Sequence, residues 1–61
     1  MEAKIQKEIE FIKNNLKFYK NYLSHNKSIG NLEKSCVKEQ IKILKRYQEV
    51  LEERLKYFTS F

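Results

Sequence analysis

Proline is absent from this 61-residue chain and glycine occurs once, at Gly30. These two residues are the strongest punctuators of regular structure. A chain almost without them has one obvious place to interrupt a helix, and that place is the run Ser-His-Asn-Lys-Ser-Ile-Gly-Asn at 24–31. The run also collects the cap-forming side chains. Asn26 in a left-handed conformation would end a first helix. Either Ser28 or Asn31 would cap a second one by accepting from its free backbone N–H groups. The predicted organisation is one domain over 1–61, with helix 1 at about 2–25, a turn at about 26–28 and helix 2 at about 29–58. A link this short makes the helices antiparallel neighbours.

The apolar residues agree with that division. Ile5, Ile9, Ile12, Leu16, Tyr19 and Leu23 recur at alternating intervals of four and three. This spacing keeps one stripe turned toward a partner helix. Val37, Ile41, Leu44, Gln48, Leu51, Leu55 and Phe58 repeat it with one polar member. Gln48 in the stripe would set register at some cost in stability, or would sit at the seam edge with Tyr47 turned inward. The fold class expected is all-α, an antiparallel two-helix hairpin.

A second apolar set lies beside each stripe. Phe11, Phe18 and Tyr22 flank the first, and Ile43, Tyr47 and Val50 flank the second, with Cys36 at its start. Stripe and flank together span about 160° of helix surface at about 100° per residue. One antiparallel partner covers less than that. The excess predicts dimerisation of hairpins into a four-helix bundle, or docking on another protein. Phe11, Phe18, Tyr22, Ile43, Tyr47 and Val50 are the candidate protein interface. Helix 2 should overhang helix 1, leaving Tyr57, Phe58 and Phe61 to pack on Met1 and Ile5 or on a second subunit.

Size points the same way. A domain of about 60 residues buries only about 60% of the surface of its unfolded chain and usually needs reinforcement. Cys36 is the only cysteine, so no internal disulfide forms, and one thiol with His25 makes no zinc site. Association is the remaining reinforcement. The lone thiol, the charged first fifteen residues and the lack of a long apolar run predict a cytoplasmic protein without signal peptide or membrane span.

The net charge is +5, from 13 basic and 8 acidic side chains. Residues 13–46 hold nine basic side chains against Glu33 and Glu39, so folding would make the turn end basic and the open end mildly acidic. Lys13, Lys17, Lys20, Lys34, Lys38, Lys42 and Arg46 are the candidate contacts to nucleic acid or an acidic partner. The plainer reading is a solvated face that keeps an adhesive protein soluble.

No catalytic, cofactor or metal constellation is expected. General acid–base catalysis needs groups placed across a cleft, which two helices do not enclose. Glu10, Glu49, Glu52 and Glu53 approach one another only as open-end surface residues. A carboxylate-bridged metal site would want Glu-x-x-His motifs, and the single histidine lies near the turn. Base readout is poorly served by two arginines and no recognition module.

Val37-Lys38-Glu39-Gln40-Ile41-Lys42-Ile43-Leu44-Lys45-Arg46-Tyr47 has an apolar skeleton similar to the second helix of the small aspartyl-phosphate phosphatases of sporulating bacteria, which are also two-helix hairpins. Their signature is Ser-x-x-Leu-Asp, and Lys38 and Lys42 stand where its Ser and Asp would fall. The resemblance covers about eleven residues and implies shared hairpin architecture, without the groups that carry the activity. The function expected is a non-enzymatic protein-binding regulator or adaptor. The alternatives are an accessory nucleic-acid-binding protein using the lysines and a purely structural bundle component.

Overall fold

The computed structural model describes residues 2–59. Two helices, α1 at Glu2–His25 and α2 at Asn31–Thr59, pack side by side as a hairpin measuring 49 × 15 × 12 Å over its Cα atoms. Ile5, Ile9, Ile12 and Leu16 of α1 close on Leu51 of α2, with Ile41, Leu44 and Leu55 packed against them. Val37 is buried nearer the turn. Tyr19, Leu23 and Gln48 complete the two stripes as half-buried residues. α2 is five residues longer than α1, about 7.5 Å at 1.5 Å per residue, shared between the two ends of the hairpin. Near the C-terminal end of α2 Phe58 and Tyr57 stay exposed and meet edge to face at 6.0 Å. The expected packing on Met1, and that of Phe61, lie outside the described residues.

Both sides of the turn differ from the sequence expectation. Among the described residues none has a positive φ, so Asn26 does not end α1 in the left-handed region. It caps the helix with its side chain instead. The Tyr22 carbonyl accepts from the Asn26 backbone N–H at 3.1 Å and from Asn26 Nδ2 at 2.9 Å. One residue back, the Asn21 carbonyl accepts from Ser24 Oγ at 3.1 Å and from His25 Nδ1 at 2.8 Å, which requires the proton on Nδ1. Carbonyls that the helix leaves open at its C-terminus are thereby satisfied locally.

α2 begins at Asn31, two residues later than expected, and neither Ser28 nor Asn31 is its cap. The Gly30 carbonyl accepts the first helical bond, from the Lys34 N–H at 3.0 Å, which makes Gly30 the capping residue. Glu33 then lies in the first turn, where a negative charge complements the helix dipole. Gly30 contributes no side-chain acceptor, and a Cβ built there meets nothing within 4 Å. A serine at this position, three residues before Glu33, completes a reciprocal capping box. Gly30→Ser is therefore expected to raise stability by about 0.5–1 kcal/mol, through the new acceptor and a less flexible unfolded chain. Paired urea denaturation curves for the two proteins measure the gain.

Candidate protein-docking face

The seam uses one side of each helix, and the flanking residues follow helical arithmetic. On α1, Glu8, Phe11, Asn15, Phe18 and Tyr22 recur by threes and fours, turned about 100° from the seam. On α2, Leu32, Cys36, Ile43, Tyr47, Val50 and Arg54 are turned by a similar angle in the same rotational sense. Antiparallel packing reverses one helix, so equal rotations bring both flanks to the same side of the hairpin. Contacts agree. Tyr47 Oη donates to Glu8 Oε2 at 2.9 Å across the helix pair. One shallow depression on this side is lined by Asn15, Tyr19, Gln40, Ile43 and Leu44, and its neighbour by Phe18, Tyr19, Tyr22, Glu33, Val37 and Gln40.

The result is an aromatic and aliphatic face open to solvent. Phe11 is 68% exposed, Phe18 63% and Ile43 61%. Tyr47 and Val50 are exposed to a lesser degree and Tyr22 is half-buried. All six residues predicted for the interface thus fall on one surface. Phe18 also meets Tyr19 edge to face at 5.6 Å. Leu32, 79% exposed, belongs to the same face and was missed. The signal was present: Leu32 stands four residues before Cys36 and eleven before Ile43, in step with the flank, but it lies beside the turn cluster and reads there as a loop residue.

The opposite side collects the lysines. Lys13, Lys17 and Lys20 on α1, and Lys34, Lys38, Lys42 and Lys45 on α2, turn the other way from the seam, by about 60–150°. Here the depression is lined by Gln6, Ile9, Glu10, Lys13 and Leu55. Arg46 stands apart from the lysines, on the outside of α2, where its Nη1 pairs with Glu49 Oε2 at 3.1 Å. Both side chains are well exposed, so the pair contributes little, about 0.2–1 kcal/mol at most.

Two polar residues near the seam have separate partners. Gln48 Nε2 donates to Glu52 Oε1 at 2.9 Å within α2, so its polar end is satisfied on its own helix and does not bridge to α1. Tyr47 makes the cross-helix bond and is not turned into the core. Its phenol is raised above the ordinary value of 10.0, first by the hydrogen bond to the Glu8 carboxylate and then by that carboxylate's charge, with Arg54 opposing. The bonded, neutral phenol is present below the ordinary value and is lost as pH rises through the raised one. This contact therefore contributes to helix pairing up to pH of about 10 and fades above it. In an ultraviolet phenolate titration, Glu8→Ala is expected to return Tyr47 toward 10.0.

The groups weighed for chemistry are not assembled. Glu49, Glu52 and Glu53 line an open depression with Arg46 and Lys56, while Glu10 belongs to a different one. Among the described residues no three His, Cys, Asp or Glu side chains gather to hold a metal, and no helix is long and apolar enough to cross a membrane. Cys36 is exposed on the aromatic face. Comparison with family models, with curated proteins and with solved structures finds no match to this chain.

Proposed function

We propose that the hairpin is a non-enzymatic interaction protein that self-associates through its aromatic face into a four-helix bundle and serves as a regulator or adaptor for a protein partner. One observation carries the reading: the exposed residues Leu32, Phe11, Phe18, Ile43, Tyr47 and Val50 share a single side of the hairpin. Apolar patches of this kind mark interaction surfaces. The Cα envelope of that side measures 49 × 15 Å, a footprint of about 700 Å², close to the ~800 Å² per partner of a standard interface. Pairing through it leaves the lysine side outside, where it is available to an acidic partner.

Sedimentation equilibrium tests the self-association. The expected species is twice the 7.5 kDa chain mass, with a melting temperature that rises with protein concentration. A 7.5 kDa species at high concentration would remove the basis of the proposal.

The segregated lysines support a second reading, contact with a nucleic-acid backbone. Its signature is affinity that falls steeply with salt, by about one log unit per log of salt for each phosphate neutralised. Fluorescence anisotropy with a labelled duplex and a labelled single strand, at low and at physiological salt, tests it. Absence of binding at low salt dismisses it.

A further inference from the structure

The lysines opposite the aromatic face stand in two rows with a common register. The depression lined by Asn15, Tyr19, Gln40 and Leu44 sets residue 15 level with 44 and residue 19 level with 40. The same register brings Lys17 level with Lys42, Lys13 beside Lys45 and Lys20 beside Lys38, with Lys34 next toward the turn. Along α2 the row runs about 17 Å at 1.5 Å per residue, and helices in contact set the two rows about 8–10 Å apart. Lys34 is half-buried and the other six are exposed. None of the seven pairs with a carboxylate among the described residues.

Every carboxylate near these rows has a place outside them. Glu10 and Glu49 stand about one turn beyond Lys13 and Lys45 and close the patch toward the open end, with Glu52 farther on. Glu33 lines a depression of the aromatic side, and Glu39 turns to that side's outer edge. Between the lysines the helices present polar, uncharged side chains such as Ser24 and Asn31.

The chemistry of the patch selects its partner. A protein partner is held by apolar anchors in a desolvated centre, and no apolar side chain stands among these lysines. A single strand is held by stacking its bases on aromatic rings. The rings of residues 2–59, from Phe11 to Phe58, all lie on the seam or toward the aromatic side. Base edges are read chiefly by arginine, asparagine and glutamine, and Arg46 points away with Glu49. Phosphates remain. Two rows of ammonium groups suit a duplex, which presents two backbones across a groove about 6–12 Å wide.

We infer that the aromatic-face dimer bridges two nucleic-acid duplexes, holding the phosphate backbone of one on each outer lysine side without reading sequence. Stacking two hairpins by their aromatic faces turns both lysine sides outward, about 20–24 Å apart across two helix diameters. Bridging rests on the proposed self-association and on the nucleic-acid reading of the lysine side, and joins the two in one particle.

Energy transfer between two duplex populations of about 20 base pairs, one carrying a donor and one an acceptor, reads the bridging. At low salt the protein should raise transfer, and a large excess of protein should lower it again as each duplex fills with its own dimers. DNA and RNA duplexes of unrelated sequence should bind within about threefold of one another. In anisotropy titrations Lys17→Gln/Lys38→Gln/Lys42→Gln should flatten the salt dependence by about 2.7 log units per log of salt, at about 0.9 for each lost phosphate contact. The hairpin variant Phe18→Glu/Ile43→Glu should sediment as a monomer, still bind one duplex and give no transfer. No duplex binding at low salt would overturn the inference together with the nucleic-acid reading and leave self-association standing. Duplex binding by a dimer without transfer would overturn bridging alone. Transfer that survives in the monomeric variant, or tighter binding to a single strand than to a duplex, would also overturn it. A wild-type protein that sediments as a monomer would overturn it with the self-association.

Discussion

Leu51→Ala is expected to abolish most of the hairpin's stability. Among the described residues Leu51 is the largest fully buried side chain, at 0% exposure, and it is the α2 residue buried in the cluster with Ile5, Ile9, Ile12 and Leu16. Truncating a buried leucine costs about 2–5 kcal/mol, from lost transfer energy and the cavity left behind. A domain of this size has a total stability of about 3–9 kcal/mol at about 0.05–0.15 kcal/mol per residue. Two helices have few ways to close a cavity without losing their seam, so the upper part of the cost range applies. Thermal melts followed by helical circular dichroism at one fixed concentration should show a variant largely unfolded near ambient temperature. Lys45→Ala, at an exposed site on the lysine side, should stay within about 0.5 kcal/mol of the parent. Equal melts for Leu51→Ala and the parent would mean that the seam is not where the two helices meet.

Phe18→Glu combined with Ile43→Glu should dissociate the proposed dimer while sparing the hairpin. The two sites are mostly exposed in the single chain, so glutamates there meet water and the helix interior is unaffected. In the bundle the same carboxylates would be desolvated against apolar side chains without partners, a strongly unfavourable placement. Central interface residues commonly contribute about 2 kcal/mol or more each, and a two-fold contact counts every substitution twice. The dissociation constant should rise by more than about a thousandfold. Sedimentation should report the 7.5 kDa chain, with helical circular dichroism retained at low temperature and a melting point no longer dependent on concentration. A dimer that survives both substitutions would place its interface elsewhere.

The hairpin was legible because helix periodicity and the scarcity of breakers are local properties. Four consecutive stripe residues of α1, Ile5, Ile9, Ile12 and Leu16, are buried as their spacing predicts. The turn was less legible. Asn26, Ser28, Gly30 and Asn31 all carry acceptable cap chemistry, and choosing among them depends on where the backbone bonds close. They close on the Tyr22 and Gly30 carbonyls, so the side chain of Asn26 ends one helix and a glycine begins the next. The Arg46–Glu49 ion pair is likewise set by side-chain geometry that the residue pattern leaves open.

The sequence by itself determined that there are two long helices, where each keeps its apolar stripe, and that the stripe and its flank exceed what one partner helix can cover. Those facts follow from about 3.6 residues per turn and from side-chain chemistry, both intrinsic to a single helix. Only the tertiary structure decided where the flanks lie relative to each other. Because α1 and α2 run in opposite directions, flanks rotated in the same sense converge on one side and the lysines converge on the other. The convergence turns separate residues such as Phe18 and Ile43 into one surface, and it follows from chain direction, which no single helix contains.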